Sequence, residues 1–155
     1  MAVSMHSEGI FRYAFKWTKN EHDSKDLVQD AYSKLWENRK KVAFKSAKTW
    51  LFTCMHNLLV NFSRKKNIVD KIEDVRFQHP VSFQPNYALK DILEITLAQL
   101  SDVQRSILIL RDSEGYSYEE IGEVLNLKES QVKVYLFRAR QKMKEQLQDM
   151  AELVA

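Results

Sequence analysis

Two segments near the C-terminal end carry the clearest chemical signal in this sequence. A short stretch, SYEEIGEVLN (117–126), is joined by LKES to a long basic stretch, QVKVYLFRARQKMKEQ (131–146). Two helices joined by a tight turn, the second of them cationic, form a helix-turn-helix, whose second helix can lie in the major groove of DNA. The pattern therefore predicts duplex DNA binding, with an amphipathic helical hairpin that exposes a solvated basic face as the alternative.

The long basic helix separates into a buried stripe and an outward face. Apolar residues recur at helical spacing and are predicted to pack inward: Val132, Leu136, Ala139, Met143 and Leu147. We expect the first turns of the outward face to meet base edges, and Arg140 and Lys144 further along to contact phosphates. The candidate DNA-binding residues are Lys128, Ser130, Gln131, Lys133, Val134, Tyr135, Arg138 and Lys142.

A second cationic region lies in the N-terminal half. Residues 34–66 carry nine lysines and arginines against one glutamate, whereas residues 101–127 carry two against six carboxylates. Such a region indicates a surface that meets a polyanion, or else ordinary solvated helix exteriors.

Amide side chains on this cationic surface suit the capture of unstacked bases and phosphates, with Trp50 nearby. Thr53, Asn57, Asn61 and Arg64 form one polar stripe of a predicted helix. The alternatives are an ordinary exposed stripe and a core position for Trp50. The candidate residues of this surface are Lys40, Lys41, Phe44, Lys45, Lys48, Asn57, Asn61, Arg64 and Lys65.

A third group of polar residues shares one side of the helix predicted over residues 24–38. It consists of Asp26, Gln29, Asp30 and Ser33. No basic residue balances this group locally, so a cationic protein partner and a solvated face are both open.

Composition and periodicity predict an all-α protein. Only three glycines and two prolines occur among 155 residues, and apolar residues recur at helical spacing without a period-two strand. The predicted helices cover residues 10–17, 24–38, 46–65, 88–100, 101–113, 118–125 and 128–148. Residues 67–86 lose the apolar period and contain both prolines, which indicates a linker.

This pattern predicts two small helical domains joined by an extended linker. The domains cover residues 1–66 and 88–155, the linker covers residues 67–87, and each domain is expected to pack around its own core.

Several classes of function are disfavoured by what the sequence lacks. The four histidines are scattered, and neither metal-ligand spacing nor a glycine-rich phosphate loop occurs, so we expect neither an enzyme nor a cofactor. The single cysteine, Cys54, fits a reducing compartment. With no signal peptide and no apolar run near the roughly 20 residues that span a bilayer, we expect a cytoplasmic protein without membrane insertion.

Three segments together resemble a known family. DLVQDAYSKLW (26–36), TWLFTCMHNLLVNFSRKK (49–66) and residues 97–144 are similar, in order and spacing, to extracytoplasmic-function (ECF) sigma factors of the sigma-70 family. They correspond to region two and region four of that family, with its linker between them. The phrase FKSAKTWLFTCMHN resembles members from Bacteroidetes.

The resemblance implies a role for each surface. The protein would direct core RNA polymerase to promoters, with Asp26, Gln29, Asp30 and Ser33 docking to the polymerase. Residues 38–47 with the amide stripe would open and hold the minus-ten element, and residues 128–142 would read the minus-thirty-five element. An anti-sigma factor is a further expected partner. A stand-alone helix-turn-helix regulator is the alternative, followed by a helical interaction protein without DNA binding.

The sequence departs from the family pattern at three places. Ser101 stands where Pro is usual, Gly122 where Ala is usual, and Gln131-Val132-Lys133-Val134-Tyr135 replaces the usual Thr-Val-Lys-Ser-Arg. The third departure predicts a promoter sequence different from the family's usual one.

Overall fold

The computed structural model describes the backbone of residues 2–76 and 89–154, and the side chains of residues 6–70, 91–149 and 152. Within these ranges the secondary structure is helical, with no strand, which confirms the all-α prediction. The helices are α1 (Ala2–Thr18), α2 (Glu21–Glu37), a 3-10 turn (Phe44–Ser46), α3 (Ala47–Arg76), α4 (Leu89–Ala98), α5 (Asp102–Leu108), a π-helical turn (Ile109–Ser113), α6 (Tyr118–Leu125) and α7 (Glu129–Val154).

Helices α1, α2 and α3 pack against one another as the N-terminal domain. One face of α1 is fully buried because its apolar residues recur every three or four positions; it consists of Ile10, Tyr13, Ala14 and Trp17. The buried stripe of α3 consists of Leu51, Phe52, Met55 and Leu59. Leu58, the neighbour of Leu59, is only half-buried, because Leu59 continues the four-residue spacing of Leu51 and Met55.

Helix α3 extends well beyond the end predicted near residue 65. It continues to Arg76 through the first part of the predicted linker, although residues 64–70 are exposed. This extension contains neither proline nor glycine, so nothing breaks the helix even though residues 66–70 pack no apolar face. The loss of apolar periodicity after residue 66 therefore predicted where α3 stops packing against the domain, and not where the helix ends. Pro80, Pro85 and the remainder of the predicted linker lie outside the described residues.

Helices α4 to α7 form the C-terminal domain, and local capping sets their boundaries. Ser101 and Ser117 each accept a hydrogen bond from the backbone three residues on, completing capping boxes at the starts of α5 and α6. Asn126 ends α6 in the left-handed region, with φ of 56°. The serine at position 101 thus begins its helix by capping.

Gly122 is required by the turn of the helix-turn-helix. A Cβ atom built there would lie 2.6 Å from the backbone carbonyl oxygen of Leu127, whose own N–H donates to the Gly122 carbonyl at 2.8 Å. The turn backbone thus passes too close to α6 for any side chain. An alanine at this position would force the turn to shift.

We expect Gly122→Ala to destabilise the protein by up to about 2 kcal/mol. The gain in helix propensity is about 1 kcal/mol, whereas overpacking against backbone costs roughly 1–3 kcal/mol. Gly9→Ala is the matched control, because its added Cβ would meet Phe52 at an ordinary 3.6 Å and should leave stability unchanged or raised. Urea denaturation measures both, and a stabilised Gly122→Ala protein would show that the turn adapts without cost.

The two domains pack together rather than standing apart. Their buried apolar residues form one continuous cluster that runs from Ile10 to Leu136. Phe52 of α3 meets Tyr116 edge-on at 5.2 Å between ring centroids. Two helical domains are therefore confirmed, but the expectation that each packs around a separate core is wrong. Residues such as Tyr13 and Phe52 have the pattern of core residues, which does not reveal the domain they will contact.

Candidate nucleic-acid interface

A groove of about 710 Å³ runs between the end of α2, the 3-10 turn and α3. It brings together three residues of the candidate set, Lys45, Asn57 and Asn61. The other lining residues are Lys34, Asn38, Ser46, Thr49, Trp50, Thr53, Cys54, Leu58 and Glu123. We call this feature the α3 groove.

The α3 groove has the chemistry of a base-binding site. Exposed amides of Asn57 and Asn61 offer donors and acceptors, and Trp50 and Leu58 add apolar surface. Its volume falls within the roughly 300–1,000 Å³ common for small-molecule sites. Burial raises the pKa of the Cys54 thiol, so this lining group is uncharged at neutral pH.

The remaining cations of the candidate set lie outside the α3 groove. Lys40, Lys41, Arg64 and Lys65 are exposed, as is Phe44 with 73% of its surface accessible. Lys48 differs from them. Its Nζ lies 4.2 Å from the centre of the Tyr116 ring and 4.0 Å from a Glu120 carboxylate oxygen, so it contacts the C-terminal domain.

The polar group of α2 forms a continuous exposed face. Asp26, Gln29, Asp30 and Ser33 are all exposed, at spacings of three and four residues. Asn20 orients the start of this helix, because its side chain accepts a hydrogen bond from Asp23 N at 2.9 Å. The helix thus presents its amide and carboxylates on a rigid surface.

Helix α7 is placed largely as its pattern predicted. Val132, Leu136 and Ala139 are buried, and a shallow depression of about 230 Å³ opens on the first turns. This depression is lined by Ser130, Gln131, Val134, Tyr135 and Arg138. Tyr135, expected to face outward, is instead half-buried because its ring packs against the core.

Intramolecular contacts engage several polar groups of α7. The Gln131 side chain accepts a hydrogen bond from Lys128 N at 2.9 Å and so caps the helix, while Lys142 Nζ donates to Gln99 O at 3.2 Å. Arg140 pairs through two nitrogens with the Asp112 carboxylate, which raises the pKa of Arg140. The guanidinium of Arg140 therefore holds α7 to the π-helical turn in the free protein, and its contact with phosphate stays a prediction.

Comparison with known proteins identifies the family of this chain. Residues 2–68 match the family model of Sigma-70 region 2, and residues 90–143 match that of Sigma-70, region 4. The RNA polymerase sigma factor YlaC of Bacillus subtilis is 30% identical over 149 residues, covering 89% of this chain and 85% of that protein. The chain belongs to the sigma-70 family. It is a sigma factor of the ECF type, which directs core RNA polymerase to promoters.

Two further relatives support the same assignment of this sigma factor. The ECF RNA polymerase sigma factor SigM of Bacillus subtilis is 27% identical over 145 residues, covering 90% of this chain and 89% of that protein. The sigma factor RpoE of Bartonella quintana, solved in complex with the anti-sigma factor NepR, superposes with a TM-score of 0.71 at 27% identity over 94% of each chain. The family resemblance is confirmed, while the Bacteroidetes assignment stays a prediction.

Sequence reasoning missed several exposed or groove-lining residues of this sigma factor. Lys34 and Asn38 line the α3 groove from the C-terminal end of α2, and their positions in the sequence did not predict that they would lie beside α3. Trp36 is 67% exposed, with the Arg39 guanidinium 4.3 Å from its ring centre, and Phe137 on α7 is 69% exposed. The signal that could have revealed Trp36 and Phe137 was a large aromatic residue off the buried stripe of its helix.

Two features are absent from the described residues of the sigma factor. No helix in these ranges combines the length and hydrophobicity needed to cross a membrane. Likewise, no three histidine, cysteine, aspartate or glutamate side chains there come together as a metal-binding group.

Proposed function

We propose that the α3 groove receives unstacked bases of the minus-ten element. The observation that carries this proposal is the pair of exposed amides, Asn57 and Asn61, on the wall of a groove that Lys34 and Lys45 also line. Amides can hydrogen-bond the edge of an extruded base, and cations hold the backbone beside it. Lys40, Lys41, Phe44, Arg64 and Lys65 would extend the surface along the strand, with Lys48 joining once released from Glu120.

The minus-thirty-five element is read, in this proposal, by the first turns of α7. The depression around Gln131, Val134 and Arg138 presents an amide, a methyl surface and a guanidinium, a combination that suits base edges in the major groove. Lys128, Ser130, Lys133, Tyr135 and Lys142 complete the predicted set. Lys142 and Lys144, on later turns, supply phosphate contacts.

The exposed face of α2 is our proposed dock for core polymerase. Asp26, Gln29, Asp30 and Ser33 offer carboxylates and hydrogen-bonding groups on one rigid surface, and Trp36 continues it toward the end of the helix. An anti-sigma factor is a proposed further partner, because RpoE of Bartonella quintana was solved with one.

We place this activity in the cytoplasm and propose that it requires no cofactor or catalysis, as is general for sigma factors. We propose residues 1–66 and 88–155 as the functional domains, with residues 67–87 as the linker. Membership in the sigma-70 family favours this account over a stand-alone regulator.

Asn57→Ala combined with Asn61→Ala is expected to reduce promoter opening by the polymerase complex more than initial duplex binding. The reason is that amides read extruded bases, whereas duplex affinity depends mainly on cations. Permanganate footprinting measures opening, and a mobility shift on ice measures closed-complex binding. Arg64→Ala is the matched control on the same helix and should weaken both. Equal losses in the two assays for the amide variant would remove the base-binding role of the groove.

A further inference from the structure

One side of α7 carries cations that lie apart from the depression on its first turns. Lys133, Arg140 and Lys144 are exposed, and their spacings of seven and four residues place them on a single side of the helix. A helix that lies in the major groove has a phosphate backbone along each of its sides. This cationic side of α7 is therefore placed to meet one strand of the minus-thirty-five duplex.

An acidic residue stands on the cationic side of α7. The Asp112 carboxylate, on the π-helical turn, accepts hydrogen bonds from Arg140 Nε at 3.1 Å and from Arg140 Nη2. A carboxylate beside a phosphate contact repels DNA. The pair is also half-exposed, and such pairs contribute little to stability. Neither charge complementarity to DNA nor stability of the fold accounts for an aspartate at this place.

The geometry of the pair leaves part of the Arg140 guanidinium available. A guanidinium presents five N–H donors in one rigid plane. Asp112 accepts one from Nε and one from Nη2, which leaves the edge formed by Nη1 and the second N–H of Nη2. In the described part of the chain no other side chain or carbonyl accepts from Arg140, whose side chain is 51% exposed. This free edge is a second fork, matched to two oxygens of a phosphate.

The turn that carries Asp112 is itself firmly held. The neighbouring Arg111 donates to the Tyr116 carbonyl at 2.8 Å, and its guanidinium lies 4.4 Å from the centre of the Tyr118 ring. Lys133 Nζ of α7 lies 5.5 Å from the same ring. Helices α6 and α7 and the π-helical turn therefore meet around Tyr118, so the Asp112 carboxylate has a fixed position from which to orient Arg140.

We propose that Asp112 is a positioning residue for DNA binding, which fixes the Arg140 guanidinium so that its free edge binds one phosphate of the minus-thirty-five element. The proposal rests on the assignment of α7 to that element. A free arginine side chain loses rotamer freedom when it binds phosphate, whereas the pair with Asp112 imposes that loss before DNA arrives. Solvent and salt screen the repulsion between an exposed carboxylate and the phosphate, so the gain in preorganisation exceeds it.

Asp112→Asn separates positioning from charge. Removing a carboxylate beside DNA should tighten binding if charge alone matters. The proposal predicts the opposite, a loss of at least about threefold in duplex affinity. The probe is a promoter fragment captured by the complex of this protein with core RNA polymerase, and a mobility shift on ice measures closed-complex binding. Glu119→Gln is the matched control, because it removes the same charge from an exposed position on α6 and should leave affinity unchanged or higher.

A readout at single phosphates separates positioning from a general loosening of α7. Methylphosphonate linkages remove the charge of one phosphate at a time along the minus-thirty-five part of the fragment. We expect one position where this change weakens binding of the unchanged protein but has no further effect on Arg140→Gln. Asp112→Asn should reduce the effect at that same position and leave the effects at other phosphates intact. Asp112→Glu, which keeps a carboxylate, should restore the effect.

The outcomes distinguish this proposal from the assignment of α7. If Asp112→Asn binds as tightly as the unchanged protein or more tightly, or alters the effects at all phosphates alike, the positioning role is wrong. If Arg140→Gln leaves every phosphate effect unchanged and Gln131→Ala leaves the selected sequence unchanged, α7 does not read the element and the proposal fails with that assignment. Circular dichroism reports folding, and should Asp112→Asn lose helicity, Asp112→Ala is measured under the same expectations.

Discussion

Replacing Gln29 and Asp30 together with lysine is expected to abolish binding to core RNA polymerase while both domains remain folded. The two side chains are exposed on the rigid face of α2, so their replacement leaves the buried Leu27 and Ala31 of the same helix untouched. Reversing a charge in a complementary interface costs about 2–5 kcal/mol, which lowers affinity by roughly 30-fold to several-thousand-fold. Duplex DNA affinity of the variant should not fall, since added lysines do not repel phosphates.

The measurement is a pull-down of core polymerase by the variant, with circular dichroism to confirm folding. Glu21→Lys is the matched control, because Glu21 is exposed on α2 but lies on a different side of the helix from the polar face. It should retain polymerase. A double variant that captures polymerase as well as the control does would remove α2 from the docking surface. If an anti-sigma factor uses this face, it should compete with polymerase for the unchanged protein.

Gln131→Ala is expected to relax the choice of base at one position of the minus-thirty-five element. Glutamine can pair with adenine through two hydrogen bonds, and such a contact discriminates by roughly 1–3 kcal/mol, or about 5- to 150-fold. In the free protein its side-chain oxygen caps the helix at Lys128 N, so bidentate readout requires that bond to be shared or released. Val134, 47% exposed beside it, offers a surface for a thymine methyl. We expect an A/T-bearing element that differs from the family's usual one at one or two positions.

Selection of bound sequences from a random duplex pool measures this effect. Lys144→Ala is the contrasting variant, because Lys144 is exposed on a later turn of α7 and is assigned to phosphate alone. It should weaken all sequences alike and reduce the slope of affinity against salt by about one. An unchanged consensus after selection with Gln131→Ala would mean that the first turns of α7 are not in the groove.

Local chemistry in the sequence predicted the helix-turn-helix closely. Helix α6 begins and ends at the predicted positions. Ser117 and Glu120 form a capping box at its start and the left-handed residue Asn126 ends it, and such caps depend only on neighbouring residues. The stripe of Val132, Leu136 and Ala139 is buried as predicted for the same reason. Periodicity was less informative for α3, where the helix continues past its packed face to Arg76.

The sequence pattern did not predict contacts between residues that are far apart in the chain. Lys34 and Glu123 meet the amides of α3 in one groove, although they come from α2 and α6. The Arg12–Glu114 pair joins residues 102 positions apart, and each is unremarkable in its own segment. Charge blocks predicted that the cationic residues 34–66 meet a polyanion, but not that Glu120 of the acidic block lies beside Lys48.

Run-off transcription with purified core RNA polymerase tests the sigma-factor assignment most directly. Templates are genomic fragments captured by the complex of this protein with core polymerase. The account predicts transcripts of one defined length per template, present only when protein and core polymerase are combined, and lost with the Gln29 and Asp30 double variant. Duplex binding by the protein alone, with no such transcripts and no polymerase capture, would contradict it and favour a stand-alone regulator.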